Sequence, residues 1–236
     1  MAVNKPAGLL VAPDRWDKQR ENLMGLLHQG ISAHRPWATA RQLTYLANAH
    51  RLDYNTSGVL LLARTKPVLT ILAALLREHA VRKTYAVLVH NCPESDTMTI
   101  DYPIGPNPRT PGRSVIDQST GKPAQTAIHV EEKFGRYTLL TAQPATGRLH
   151  QIRVHLQGIG CPVVGDPPYG GKALLLSRLK PHYKVKPEGE KPMIDRPALH
   201  AQEIAFTHPQ TQAPIVIRAE WPKDFTVAVK YLRKFG

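Results

Sequence analysis

Two stretches of this chain concentrate residues able to do chemistry. The first is His50-Arg51-Leu52-Asp53-Tyr54-Asn55-Thr56-Ser57-Gly58, followed by an apolar run from Val59 to Ala63. Arg51 places a guanidinium two residues before the Asp53 carboxylate. The turn-forming Thr-Ser-Gly then leads into a run long enough for a buried strand. Charges at the mouth of such a strand are costly unless they are paired or used in chemistry. Read alone, the pattern also fits a surface Arg–Asp pair capping a hairpin. The second stretch is Thr146-Gly147-Arg148-Leu149-His150-Gln151-Ile152-Arg153-Val154-His155-Leu156. On a helix, His150 and Arg153 share one face while Ile152 and Leu156 line another. A glycine and an arginine before its first turn suit it to holding an anion. His150 and His155 would lie about 140° apart, which speaks against a metal pair.

The elements that must position these stretches follow from pattern. Residues 2–11 read as a strand end, a Pro/Gly turn and a second short strand. Residues 22–28 put Leu23, Leu26 and Leu27 on one helical face, and Arg35-Pro36-Trp37 breaks that pattern. Residues 67–79 predict a helix with Pro67 in its first turn and Val68, Leu72, Leu75, Leu76 and His79 on its inward face. Strands are expected over 83–89, 125–130, 137–142, 199–207 and 215–220, with a hairpin at Phe134-Gly135. Residues 97–119 read as an exposed loop or irregular hairpin, and 149–157 as a short helix. Residues 181–197, rich in proline and charge, read as a mobile surface insert. A terminal amphipathic helix carries Phe225, Val229 and Leu232. Strand runs punctuated by a few helices predict an α+β fold: a mostly antiparallel mixed sheet with flanking helices and loops. No linker divides the chain, so one domain over 1–236 is expected.

Composition narrows the partner. The 236 residues carry 31 Lys and Arg against 18 Asp and Glu, a formal charge of +13. That surplus favours a polyanion, most often nucleic acid. Between positions 133 and 187 there are nine Lys or Arg, Lys180, Lys184 and Lys186 among them, and a single acid, Asp166. Read as a binding surface, this run would contact phosphates. The two cysteines, Cys92 and Cys161, belong to no C-x-x-C pair, which argues against a zinc ribbon or disulfide framework. No stretch approaches the ~20 apolar residues of a membrane span, and no signal peptide is visible at the N-terminus. A cytoplasmic protein is expected.

His50-Arg51-Leu52-Asp53-x-x-Thr56-Ser57-Gly58 and Gly147-Arg148-x-His150-Gln151-Ile152-Arg153-x-His155 resemble the two signatures of RluA-type pseudouridine synthases. Asn4-Lys5-Pro6-x-Gly8, Lys83-x-Tyr85, Gly165-Asp166-x-x-Tyr169-Gly170 and Leu199-His200-Ala201 recur in the family's order. The resemblance implies an isomerase that flips a uridine out of structured RNA, ribosomal or transfer, breaks its C1′–N1 bond and rejoins the uracil through C5. It implies Asp53 as nucleophile, Arg153 paired with it, Tyr85 stacked on the uracil with its hydroxyl near the departing C5 proton, and Arg51 directed at the RNA. Ile152 and Leu199 would wall the pocket, while Arg148, His150 and Gln151 would contact RNA. No cofactor and no metal are called for, and the protein would act as a monomer. No separate N-terminal RNA-binding module is visible. The competing reading is a catalytically inactive RNA-binding or ribosome-associated protein on the same scaffold. Its discriminating sign would be loss of Asp53, Tyr85 or Arg153, and all three are present. No G-x-S-x-G elbow, P-loop or G-x-G-x-x-G occurs to support a hydrolase or nucleotide-binding enzyme.

Overall fold

The computed structural model describes residues 1–14, 17, 19–185 and 187–236. In chain order the elements are β1 (Ala2–Lys5), α1 (Leu23–Ser32), α2 (Pro36–Thr39), β2 (Ala47–Asn48), β3 (Ser57–Ala63), α3 (Lys66–Arg77) and β4 (Arg82–His90). There follow β5 (Thr97–Asp101), β6 (Ile104–Pro106), β7 (Ser114–Ile116), β8 (Gln125–Phe134), β9 (Tyr137–Pro144) and α4 (Gln151–Gly158). The last are β10 (Leu199–Thr207), β11 (Pro214–Arg218) and α5 (Lys223–Phe235). The fold is α+β, and every strand pair with a described register is antiparallel. The chain forms two compact units: Met1–Arg82 with Ala201–Ala219, and Lys83–His200 with Glu220–Gly236.

In the first unit, β3 lies between β1 and β10, with β11 beyond β10 and β2 also on β3. All seven residues of β3 are buried, as its unbroken apolar run requires. Gly58 opens this strand at φ 118, and a Cβ there would stand 2.2 Å from the Ala201 carbonyl oxygen. Only glycine lets the two backbones meet so closely. Asn22 caps α1 by accepting from Gly25 N–H at 2.9 Å, and Thr65 caps α3 at Val68 N–H. The inward face of α3 is Leu69, Leu72, Leu75 and Leu76, packed with Val59, Leu61 and Ile204. Val68, expected inward, is 43% exposed. Successive apolar residues left the helical phase ambiguous by one position, and Leu69 fills the core instead. The expected strand after Gly8 is reduced to a single bridge between Leu10 and Asn22.

In the second unit the strands run β4-β9-β8-β5, and β6 and β7 form a separate hairpin. The proline- and arginine-rich stretch 97–119 therefore supplies an edge strand as well as an irregular hairpin. On α5, Phe225, Ala228, Val229 and Leu232 are buried at helical spacing. Arg196 forks onto Asp224 at 2.7 and 3.0 Å, next to the start of α5. This corrects the extent of the surface insert: Ile194 and Arg196 are 1% and 8% exposed. Met193 N–H also donates to Leu174 O at 2.9 Å. The segment leaves the surface before Pro197 because its last residues are packed. Cys161 is buried and its thiol is pushed up to about 11 by that burial, whereas Cys92 is exposed. Among the described residues no helix is long and apolar enough to cross a membrane.

Candidate active site

In the first unit, Asp53 stands in the turn that enters β3, and the main chain around it is held at several points. Thr56 N–H closes the turn on Asp53 O at 3.1 Å. The His50 ring accepts from Leu61 N–H through Nε2 at 3.1 Å, fastening the start of the stretch to β3. Tyr54 O accepts from Gly8 N–H at 3.0 Å and from Lys5 Nζ at 3.1 Å. The Lys5 ammonium, 0% exposed, also donates to Pro6 O and Leu9 O at 2.8 and 2.7 Å. A buried ammonium is costly unless all of its donors are used. Here they tie the Asn-Lys-Pro-x-Gly turn to the residue after Asp53. The Asp53 side chain is half-buried and Arg51 exposed. Tyr54 is exposed, with the Arg20 guanidinium 4.3 Å from its ring centroid. Lys5 was not among the expected site residues; its signals in the sequence are a lysine set between a strand and a Pro/Gly turn and its place in the Asn4-Lys5-Pro6-x-Gly8 segment.

In the second unit, Tyr85 lies on β4 opposite Ala142 of β9 and is 9% exposed. Lys83, two residues earlier, donates to Thr146 O at 3.3 Å, and burial lowers its pKa. Thr146 begins the loop into α4. Gln151 braces that loop from inside: its Oε1 accepts from Thr146 Oγ1 at 2.7 Å and Arg148 N–H at 3.0 Å. Its Nε2 donates to Gln125 O and Thr126 Oγ1 at 2.9 and 3.0 Å. With 4% exposure, Gln151 is turned away from the surface on which an RNA contact was expected. Both ends of its amide are spent on holding the chain. Arg148 and Leu149 face solvent at the tip, and Leu149 is 49% exposed. Ile152 and Leu199 are buried.

Arg153 has a partner that the sequence pattern did not assign. Its Nε and Nη2 each donate to a carboxylate oxygen of Asp166 at 2.7 Å, and Asp166 is 0% exposed. Such a fork fixes a guanidinium in both direction and plane. Below the guanidinium, 4.6 Å from its central carbon, lies the ring of Tyr169. Asp166 and Tyr169 come from one tight turn, in which Tyr169 N–H and Gly171 N–H both donate to Asp166 O. Gly171 is required there, since a Cβ would fall 1.7 Å from Val163 O. The Tyr169 hydroxyl accepts from Ser114 N–H at 3.1 Å and lies 2.7 Å from Nδ1 of His150. His150 precedes α4 with φ 56. A left-handed non-glycine backbone costs of order 1–3 kcal/mol and persists where its surroundings demand it. Asp166 was visible in the sequence as the lone acid in a basic run, but nothing there named its partner.

Of the three expected RNA-contacting lysines, Lys180 and Lys184 are exposed, and Lys186 lies outside the described residues. On α4, His155 is fully buried, with Nδ1 2.9 Å from Thr126 Oγ1 and Nε2 3.0 Å from Tyr102 O. Burial lowers its pKa. Since a carbonyl only accepts, Nε2 holds the proton, and the ring is a neutral strut between α4 and the strands.

A family model described as RNA pseudouridylate synthase matches residues 1–158. The chain is 34% identical to "Uncharacterized RNA pseudouridine synthase YlyB" of Bacillus subtilis, over 100% of this chain and 71% of that protein. It is 33% identical to "Ribosomal large subunit pseudouridine synthase D" of Neisseria meningitidis, over 99% of this chain but 59% of that one. Among solved structures, "Human RNA Pseudouridylate Synthase Domain Containing 4" shares the fold, with a TM-score of 0.72 at 22% identity over 98% of this chain and 89% of the other. The chain belongs to the RNA pseudouridylate synthase family of isomerases.

Proposed function

We propose that this chain isomerises specific uridines in structured RNA to pseudouridine, with Asp53 as the nucleophile and the target base flipped out of its stack. The observation that carries this reading is the Asp53 turn. Asp53 is half-buried while the main chain around it is fastened through His50, Gly8 and Lys5. A nucleophile gains from such fixing because orientation need not be acquired during the reaction. The carboxylate attacks the sugar C1′ or the uracil C6, the C1′–N1 bond breaks, the base turns and rejoins C1′ through C5, the bond to Asp53 breaks, and C5 then loses its proton. Arg153 pairs with Asp53 and keeps it ionised. Tyr85 stacks on the uracil, with its hydroxyl near the departing proton. Arg51 reaches toward the RNA, Ile152 and Leu199 wall the base, and Arg148 and the lysines at 180, 184 and 186 follow the backbone. The reaction changes no oxidation state and takes no cofactor or metal. We place it in one catalytic domain, acting as a cytoplasmic monomer. The names of the relatives favour large-subunit ribosomal RNA over transfer RNA as the substrate.

The test is Asp53→Asn, which keeps the shape of the side chain and removes its nucleophilicity. Turnover should vanish while the protein still binds RNA. Pseudouridine formed by the verified variant would overturn the assignment. Mapping pseudouridines in cells with and without the gene would then name the uridine.

A further inference from the structure

We propose that His150 is a positioning residue for Arg153, acting through Tyr169. Its bearing on catalysis rests on the function proposed above. The three side chains form a stack of constraints within the second unit. Ser114 N–H donates to the Tyr169 oxygen at 3.1 Å. Nδ1 of His150 lies 2.7 Å from the same oxygen, within a hydrogen bond of it. The rings meet edge to face, with centroids 5.5 Å apart and planes at 83°. Held at its hydroxyl end from two sides, the Tyr169 ring presents a fixed face to the Arg153 guanidinium. Asp166, from the same turn as Tyr169, holds the guanidinium's edge. Edge and face together leave Arg153 one orientation. Without the His150 ring, the phenol loses this bond and the ring can tilt.

The backbone at His150 supports this role. Its φ of 56 is left-handed, a conformation that histidine and asparagine tolerate better than most side chains. From that position the imidazole meets the Tyr169 ring edge to face. His150 was expected to touch RNA; its Nδ1 is instead committed inward.

The experiment compares His150→Ala, His150→Asn, His150→Gly and Tyr169→Phe in the full chain, after checking that each melts cooperatively. Asparagine keeps an acceptor oxygen and the left-handed backbone; glycine keeps only the backbone. In isotope-labelled protein free of RNA, the Arg153 Nε–H resonance should be sharp and slow to exchange. It should broaden in His150→Ala, His150→Gly and Tyr169→Phe, and recover in His150→Asn. In single-turnover assays the first three should lose about tenfold to a hundredfold in rate, as displaced catalytic groups do, with an unchanged dissociation constant for RNA. His150→Ala combined with Tyr169→Phe should lose no more than either alone. An unaltered Arg153 resonance in His150→Ala would overturn the proposal. So would glycine matching asparagine, or a loss confined to the dissociation constant. A parent protein with the expected resonances but no pseudouridine formation would remove the function proposed above and leave the positioning intact.

Discussion

The Asp53 turn and the Arg153 cluster are built by opposite means. Around Asp53, the fastened atoms are mainly main-chain ones: the Tyr54 carbonyl, the Gly8 and Thr56 amides, and the Leu61 amide held by His50. Around Arg153 they are side chains, with a carboxylate on the edge, a ring on the face and an imidazole behind the ring. The difference follows from geometry. Asp53 has a short side chain, so fixing its Cα fixes the carboxylate to within one or two rotations. Arg153 reaches its site through a long, flexible stem, so fixing its backbone would leave the guanidinium free to wander. A short side chain is positioned by a turn, a long one by its neighbours.

That contrast can be broken from the Arg153 side with the largest effect on stability. Arg153→Ala strands the Asp166 carboxylate at 0% exposure and should cost about 3–5 kcal/mol, with complete loss of activity. A melting temperature equal to the parent's would show that the fork does not hold in solution. From the other side, Lys5→Met removes the donor from the Pro6 and Leu9 carbonyls while Tyr54 O keeps Gly8 N–H. We expect a loss of order 1–3 kcal/mol for each carbonyl stranded, together with slower turnover. Denaturant titration and single-turnover kinetics on one RNA would measure both. A destabilised protein that reacts at the parent rate would detach the turn's rigidity from its chemistry.

Smaller effects should come from outside both regions. Replacing the exposed Lys180 and Lys184 with Ala should leave the rate at saturation unchanged and flatten the salt dependence of RNA binding. Each phosphate no longer neutralised by a lysine lowers that slope by roughly 0.7–0.9, and an identical slope would remove this segment from the interface. The smallest is the strut at His155, whose pKa in the folded chain lies below its ordinary 6.5. The unfolded chain therefore binds the proton more readily. This contribution to stability is complete above about pH 6.5 and is lost as the pH falls through the folded value. His155→Gln should reduce the fall seen between neutral pH and pH 5; an unchanged pH profile would place its source elsewhere.

How much was legible in the sequence depends on the range over which each feature is set. Local chemistry reads well. Pro67 stands in the first turn of α3, the Thr-Ser-Gly turn leads into β3, and the apolar spacing on α5 gives its buried face. Features set by distant partners do not. The buried face of α3 is offset because Val68 and Leu69 are equally apolar, and only the strand beneath decides between them. Gln151 looked like a surface polar residue on a basic helix, but its partners Gln125 and Thr126 lie on another strand. The end of the 181–197 segment is drawn inward by Asp224, far along the chain. The same holds for Arg153, whose partner in the second unit is Asp166. Both residues stand in recognisable motifs, yet neither motif states that the two meet.

The two cysteines give the molecule a practical asymmetry. Cys161 is 1% exposed and its thiol stays protonated at neutral pH, while Cys92 follows β4 in the open. Thiolates react and buried thiols do not. A maleimide dye should therefore mark the native chain at one address, Cys92, and reach Cys161 only once the second unit has opened. The ratio of one label to two then becomes a clock for unfolding, written into the chain without any substitution.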